Sequence, residues 1–261
     1  MKKASFPAAL VAALVFVLGS QFFYAGSPAA FAQAANDGAI QADVAKSLKG
    51  SNFQGIHVTV RNGVVDLEGT VKDFATKEEA DKRAHRVKNV AAVRNMLKIQ
   101  GAGQISDRQL QQNIIQKLQY DRVGYGNAFN AISVNVQNGV VTLSGHSLGP
   151  VAQSSAVALA SSTPGVQDVI DNIQVDPLSP MDNQLRLALY RAIYGFPTLN
   201  KYAMDPAQPI RITVSNGHVI LNGVVLNQAD KDAAGIRANS VPGVFSVTND
   251  LQVANPPNAK K

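Results

Sequence analysis

One fourteen-residue phrase occurs three times in this chain. It runs from Ile56 to Gly69 (IHVTVRNGVVDLEG), from Ile132 to Gly145 (ISVNVQNGVVTLSG) and from Ile210 to Gly223 (IRITVSNGHVILNG). The copies lie 76 and 78 residues apart. A repeat of this kind constrains architecture before any single residue does. The chain must be three copies of one small unit, and its function must tolerate triplication. Three copies favour binding or bridging over a single catalytic centre.

Each phrase reads as a β-hairpin. Asn-Gly between two alternating apolar runs is a strong hairpin signal, because both residues of a type I′ turn need positive φ. That role falls to Asn62-Gly63, Asn138-Gly139 and Asn216-Gly217. A two-residue loop also fixes the register, so Arg61 faces Val64, Val60 faces Val65, Val58 faces Leu67 and Ile56 faces Gly69. Ile56, Val58, Val60, Val65 and Leu67 then share one face. The other face carries His57, Thr59, Arg61, Asp66 and Glu68, with Val64 the apolar exception. Such a sheet is covered on one side and wet on the other. Gly69, Gly145 and Gly223 end the second strand, where glycine permits close backbone approach or an unusual φ.

The repeat extends beyond the hairpin. A helix is expected after each terminal glycine, with Asp73, Gly149 or Asn227 at its N-cap and Pro150 at N1. Paired alanines mark its small face: Ala80/Ala84, Ala156/Ala160 and Ala234/Ala238. A strand-like tail follows from Val90, Val166 or Val244. Before each hairpin lies a helical apolar stripe: Ile40/Val44/Leu48, Leu110/Ile114/Leu118 and Leu185/Leu189/Ile193. The predicted class is α+β: three tandem α-β-β-α-β modules at 36–100, 105–176 and 181–254. Each would be a three-stranded mixed sheet with two helices on one face. A right-handed crossover is expected to bring the last strand parallel beside the first hairpin strand. Residues 255–261 read as a disordered tail.

This order, the Asn-Gly hairpin and the ending Pro242-Gly243-Val244, Val247, Asn249, Leu251, Val253 resemble the BON domain (bacterial osmotic-stress and nodulation domain). The second copy matches with Pro164-Gly165-Val166, Val169, Ile173 and Val175, and has Asp171 in place of the asparagine. The first has Lys88-Asn89 in place of Pro-Gly but keeps Val90, Val93, Asn95, Leu97 and Ile99. The resemblance implies an exported, non-enzymatic bacterial protein linked to envelope or osmotic stress and contacting phospholipid.

The N-terminus points to the same compartment independently. Met1-Lys2-Lys3 is a basic start, Ala8 to Leu18 is an apolar run too short for a confident span, and small residues precede Ala32 and Ala34. Residues 1–34 therefore read as a secretory signal peptide cleaved near Ala32 or Ala34, releasing a periplasmic protein. Retention as an anchor is the alternative. Cysteine is absent. No disulfide or lipobox anchor is available, and modules this small must be held by burial alone.

The whole chain carries a net charge of +6, and loss of Lys2 and Lys3 leaves +4. The outer modules carry +3 each and the middle one −2. Mild positive charge favours anionic lipid or another polyanion. Nucleic acid is not expected, because the cations are sparse and lack an aromatic stacking platform. In the first module Lys77, Lys82, Arg83, Arg86 and Lys88 interleave with Glu78, Glu79 and Asp81, which also reads as a salt-bridged helix face.

The segment between first helix and hairpin varies in length, and aromatics concentrate there. Variable loops on a constant scaffold are where function usually sits. In the third copy Tyr190, Arg191, Tyr194, Phe196, Lys201 and Tyr202 combine rings with cations, the mixture suited to a lipid or partner contact. The competing reading is that the rings cover the module core or an inter-module contact, as Tyr120, Tyr125 and Phe129 of copy two could also do.

Gly145-His146-Ser147-Leu148-Gly149 matches a G-x-S-x-G nucleophile elbow. The sister copies have no serine there, and only His218 follows as a base, so no catalysis is expected. His57, His85, His146 and His218 show no metal-ligand spacing, and no cofactor site is expected. Three functions remain: peripheral binding to anionic phospholipid or envelope surfaces, a periplasmic chaperone-like role toward unfolded proteins, and oligomeric envelope assembly, since related α/β modules build rings in secretion channels.

Overall fold

The computed structural model describes residues 28–121, 127–177, 179–205, 207 and 209–254, with side chains from residue 36 onward apart from Asn127. Most of the expected signal peptide, Tyr125 and the tail 255–261 lie outside these residues. The two candidate cleavage positions fall within the first helix.

The first module comprises α1 (Pro28–Ser47), β1 (Ile56–Arg61), β2 (Val64–Val71), α2 (Phe74–His85), β3 (Ala92–Asn95) and β4 (Lys98–Ile99). The second comprises α3 (Asp107–Gln119), β5 (Ala131–Gln137), β6 (Val140–Ser147), α4 (Pro150–Ser161) and β7 (Asp168–Val175). The third comprises α5 (Pro180–Tyr194), the short α6 (Asn200–Ala203), β8 (Ile210–Ser215), β9 (His218–Val225), α7 (Gln228–Asn239), β10 (Ser246–Asn249) and β11 (Gln252–Val253).

The hairpins take the expected register, from Ile56 opposite Gly69 to Arg61 opposite Val64, and likewise in the other copies. Both turn residues have positive φ in each case, near 50° for Asn62, Asn138 and Asn216 and near 75° for the glycines that follow. Asn89, which stands where the other copies have glycine, also has positive φ (64°), a conformation asparagine tolerates better than most residues. Asp73 and Asn227 cap α2 and α7 by accepting from the N–H three residues on.

The strand order corrects one expectation. The last strand lies parallel to the second hairpin strand, giving β1-β2-β3, β5-β6-β7 and β8-β9-β10. The second helix crosses back to the nearest open edge, so the strand before it and the strand after it are neighbours. The outer edge of the first hairpin strand is meanwhile occupied by the first helix. In modules one and three the last strand is split, and β4 and β11 continue along β2 and β9. The split follows Asn95 and Asn249, whose side chains donate to the Lys77 and Lys231 carbonyls and accept from the Leu97 and Leu251 N–H. In module two Asp171 cannot donate, and Gln153, at the lysine position, donates to it instead.

Each core fills the space between sheet and helices. In the first it holds Ile40, Val44, Val65, Leu67, Ala80 and Ala84, and the alanine pairs of all three copies are at most 1% exposed. The third core draws on its neighbour: Ala128, Phe129 and Leu148 of module two are part of it.

One repeated device is absent from the sequence reading. Asp37 accepts from the backbone N–H of Asn62 and Gly63, both at 2.8 Å. Asp107 does the same for Asn138 and Gly139, and Asp182 for Asn216 and Gly217. One helical turn on, Gln41, Gln111 and Arg186 donate to carbonyls of the edge strand, at Val58, Val134 and Val214. The first helix thus closes the hairpin turn and blunts the sheet edge with two side chains on one face. Asp182→Ala should cost about 1 to 3 kcal/mol, since two N–H groups lose a charged acceptor. Chemical denaturation would check this, and an unchanged midpoint would make the contact incidental.

Candidate functional site

The six residues singled out in the third module are brought to one end of it, but not onto one surface. Tyr194 is 3% exposed and Tyr202 is 5%. The Tyr194 hydroxyl, at the end of α5, donates to the Ile210 carbonyl at 2.6 Å and accepts from the Ile210 N–H at 3.1 Å. It closes the start of edge strand β8, and burial pushes its acidity far out of reach. The Tyr202 hydroxyl donates to Asp230 at 2.6 Å and accepts from the Leu226 N–H at 2.7 Å. Burial and the neighbouring Asp230 push its pKa up to about 12. Burial alone would raise the Asp230 carboxyl, but Lys201 at 2.6 Å, Tyr202 and Asn227 outweigh it and hold the group below the usual carboxylate range.

Tyr190 is half-buried, its ring 4.7 Å from Tyr194 and 6.0 Å from Phe129 of module two. Phe196 packs on the third core beneath the Arg237 guanidinium, 5.2 Å away. Arg191 and Lys201 are exposed, and Lys201 is spent partly on Asp230. Placing Tyr194 and Tyr202 on a contact surface is therefore corrected: their rings cover the core and their hydroxyls satisfy backbone groups that a longer loop leaves open.

Other large apolar side chains of this module are exposed. Met204, which caps α6, is 83% exposed. Leu226, tied to the same helix through Tyr202, is 63% exposed, and Val224 on β9 is 52% exposed. Beside them a groove of about 620 Å³ opens between modules two and three, lined by Ile115, Leu118, Ile132, His146, Arg211 and Val224 among others. Burial lowers the Arg211 pKa.

The serine of the G-x-S-x-G match is fully buried, and its hydroxyl donates to the Gly149 carbonyl. His218 lies in the next module, hydrogen-bonded to Ser246 and edge-on to Phe245. On α2 the charges pair along the helix, Lys82 with Glu78 and Arg83 with Glu79. Among the described residues no helix is long and apolar enough to cross a membrane.

Residues 36–101, 106–177 and 198–255 match the family model of the BON domain. The chain belongs to the BON domain family. The third match begins after α5, yet Asp182 and the buried Leu185, Leu189 and Ile193 give α5 the same place in its BON module as α1 and α3. Over 132 residues the chain is 31% identical to the osmotically-inducible protein Y of Escherichia coli (strain K12), covering 46% of this chain and 61% of that protein. Among solved structures it is similar to the C-terminal domain of CdsD, a structural protein of the Type III secretion system of Chlamydia trachomatis. That similarity has 16% identity and a TM-score of 0.25, covering 82% of this chain and 96% of that one. A second CdsD structure gives 17% and 0.24, covering 82% and 92%.

Proposed function

We propose that this BON protein is exported to the periplasm, has no catalytic activity, and serves in osmotic or envelope stress by binding anionic phospholipid surfaces peripherally. The compartment is supported by the basic-apolar start of the chain and the stress role by the name of its curated relative. The observation that carries the contact reading is the exposed apolar rim of the third module. Met204, Val224 and Leu226 are exposed on the same module as Lys201, and that module has a net positive charge. Apolar side chains enter the headgroup boundary while cations add about 1 kcal/mol each near an anionic surface. The contact is thus moved from the buried rings to this rim.

The double change Met204→Ser, Leu226→Ser should reduce co-sedimentation with anionic vesicles several-fold, at low and moderate salt alike, without lowering the melting temperature. Arg191→Gln should weaken binding mainly at low salt, where screening is least. Full retention by the double variant would remove the rim from the reading. The groove favours a second reading, a chaperone-like hold on unfolded chains, because it offers apolar walls beside edge strand β5. A client-aggregation assay separates the two.

A further inference from the structure

At the junction of the second and third modules, three side chains depart together from the repeat. His146 follows Gly145 on β6, where module one has Thr70. Asp176 directly follows the last strand where module one has Gln100, and the two make the same backbone bond, Gln100 N–H to the Val71 carbonyl and Asp176 N–H to the Ser147 carbonyl. Arg186 stands on the first helix of module three where module two has Gln111. The equivalent positions of the preceding repeats, Thr70, Gln100 and Gln111, are thus all neutral, and here three ionisable groups replace them.

These three meet. The His146 Nδ1 lies 2.9 Å from the Asp176 carboxylate, and the Arg186 guanidinium lies 3.8 Å from its other oxygen. Arg186 is 1% exposed and Asp176 is 5%. The guanidinium also donates to Asn183 and to the Val214 and Pro177 carbonyls, so it touches helix, edge strand and linker at once. Among the described residues one Asp176 oxygen and the Arg186 Nε have no hydrogen-bond partner. The pair is held by charge at a buried interface rather than by saturated hydrogen bonding, so removing one member leaves the other uncompensated. His146 also lines the groove that Arg211 and Val224 border from module three.

We propose that His146, Asp176 and Arg186 form a latch that fixes the third BON module on the second and so sets the width of the groove between them. Phe129 anchors one side of the interface and the latch holds the other. Arg186→Gln removes the charge while leaving the residue that caps the same edge in modules one and two. The triple change His146→Thr, Asp176→Gln, Arg186→Gln installs the residues of the equivalent repeat positions and removes all three ionisable groups.

The absence of cysteine makes the test direct. Spin labels at Gln137→Cys and Thr248→Cys report across the junction, and labels at Thr198→Cys and Thr248→Cys report within module three; all three positions are exposed. In the full chain the cross-junction distance distribution should be narrow and single. In the Arg186→Gln and triple variants it should broaden by about twofold or more, as expected for a buried interface that has lost its ion pair, while the distance within module three stays unchanged. A cross-junction distribution that remains narrow in the triple variant overturns the latch. Loss of the distance within module three also overturns it, because the residues would then serve that module's own fold.

Discussion

Replacing Gly223 with valine should unfold the third module, at a cost of more than about 3 kcal/mol from strain and overpacking together. The residue has φ of 122°, and a Cβ there would stand 1.8 Å from the Pro209 carbonyl oxygen. No rotamer relieves such a clash, since it involves the Cβ and backbone. Gly69 and Gly145 meet the Gly55 and Ala131 carbonyls in the same way, at 1.9 and 2.1 Å. The glycines do not end the second strand, as the sequence suggested; it runs two residues further, to Val71, Ser147 and Val225, and each glycine lets it pass close to the entry of the first strand. Thermal unfolding followed by circular dichroism would measure the effect, and a melting temperature within a degree of wild type would contradict it.

Tyr194→Ala should cost about 3 to 5 kcal/mol, the range for deleting a buried ring. It also leaves the Ile210 N–H and C=O without their shared partner. Tyr194→Phe isolates the second contribution and should cost about 1 to 3 kcal/mol. A Tyr194→Ala protein that stays as stable as wild type but loses vesicle binding would restore the ring to a surface role. Denaturant titration beside a vesicle assay distinguishes the two outcomes.

The hairpins were legible because Asn-Gly specifies a turn and the turn specifies a register, so Ile56 opposite Gly69 followed from loop length alone. The strand order was not legible in the same way. Val90 to Ile99 alternates like a strand, but alternation tells a face and not a neighbour. The neighbour was decided by the crossover and by Gln41, which already occupies the β1 edge. The Asp-x-x-x-Gln pair of the first helix, with Arg186 for the glutamine in the third copy, could have been found by aligning Asp37, Asp107 and Asp182, each three residues before an apolar stripe. Loops of unequal length between helix and hairpin hid that alignment.

The aromatics posed a different difficulty. A tyrosine suits a water–lipid boundary and a half-polar core for the same reason, a flat apolar ring with one hydroxyl. Composition could not separate the two. What decided Tyr194 was the open end of β8, whose backbone groups needed a partner, and what decided Tyr202 was Asp230 beneath it. The longer loop of module three is thus largely used in covering its own core, while Phe129 from the loop of module two covers its neighbour. The contact surface proposed for this protein is therefore the exposed apolar rim of Met204, Val224 and Leu226.

Co-sedimentation of the chain from residue 35 onward with vesicles tests the proposed function most directly. Vesicles of mixed phosphatidylglycerol and phosphatidylcholine, compared with phosphatidylcholine alone at low salt, should retain the protein in the anionic case and release it as salt rises. Equal partition into both vesicle types, or none into either, would contradict peripheral binding to anionic phospholipid.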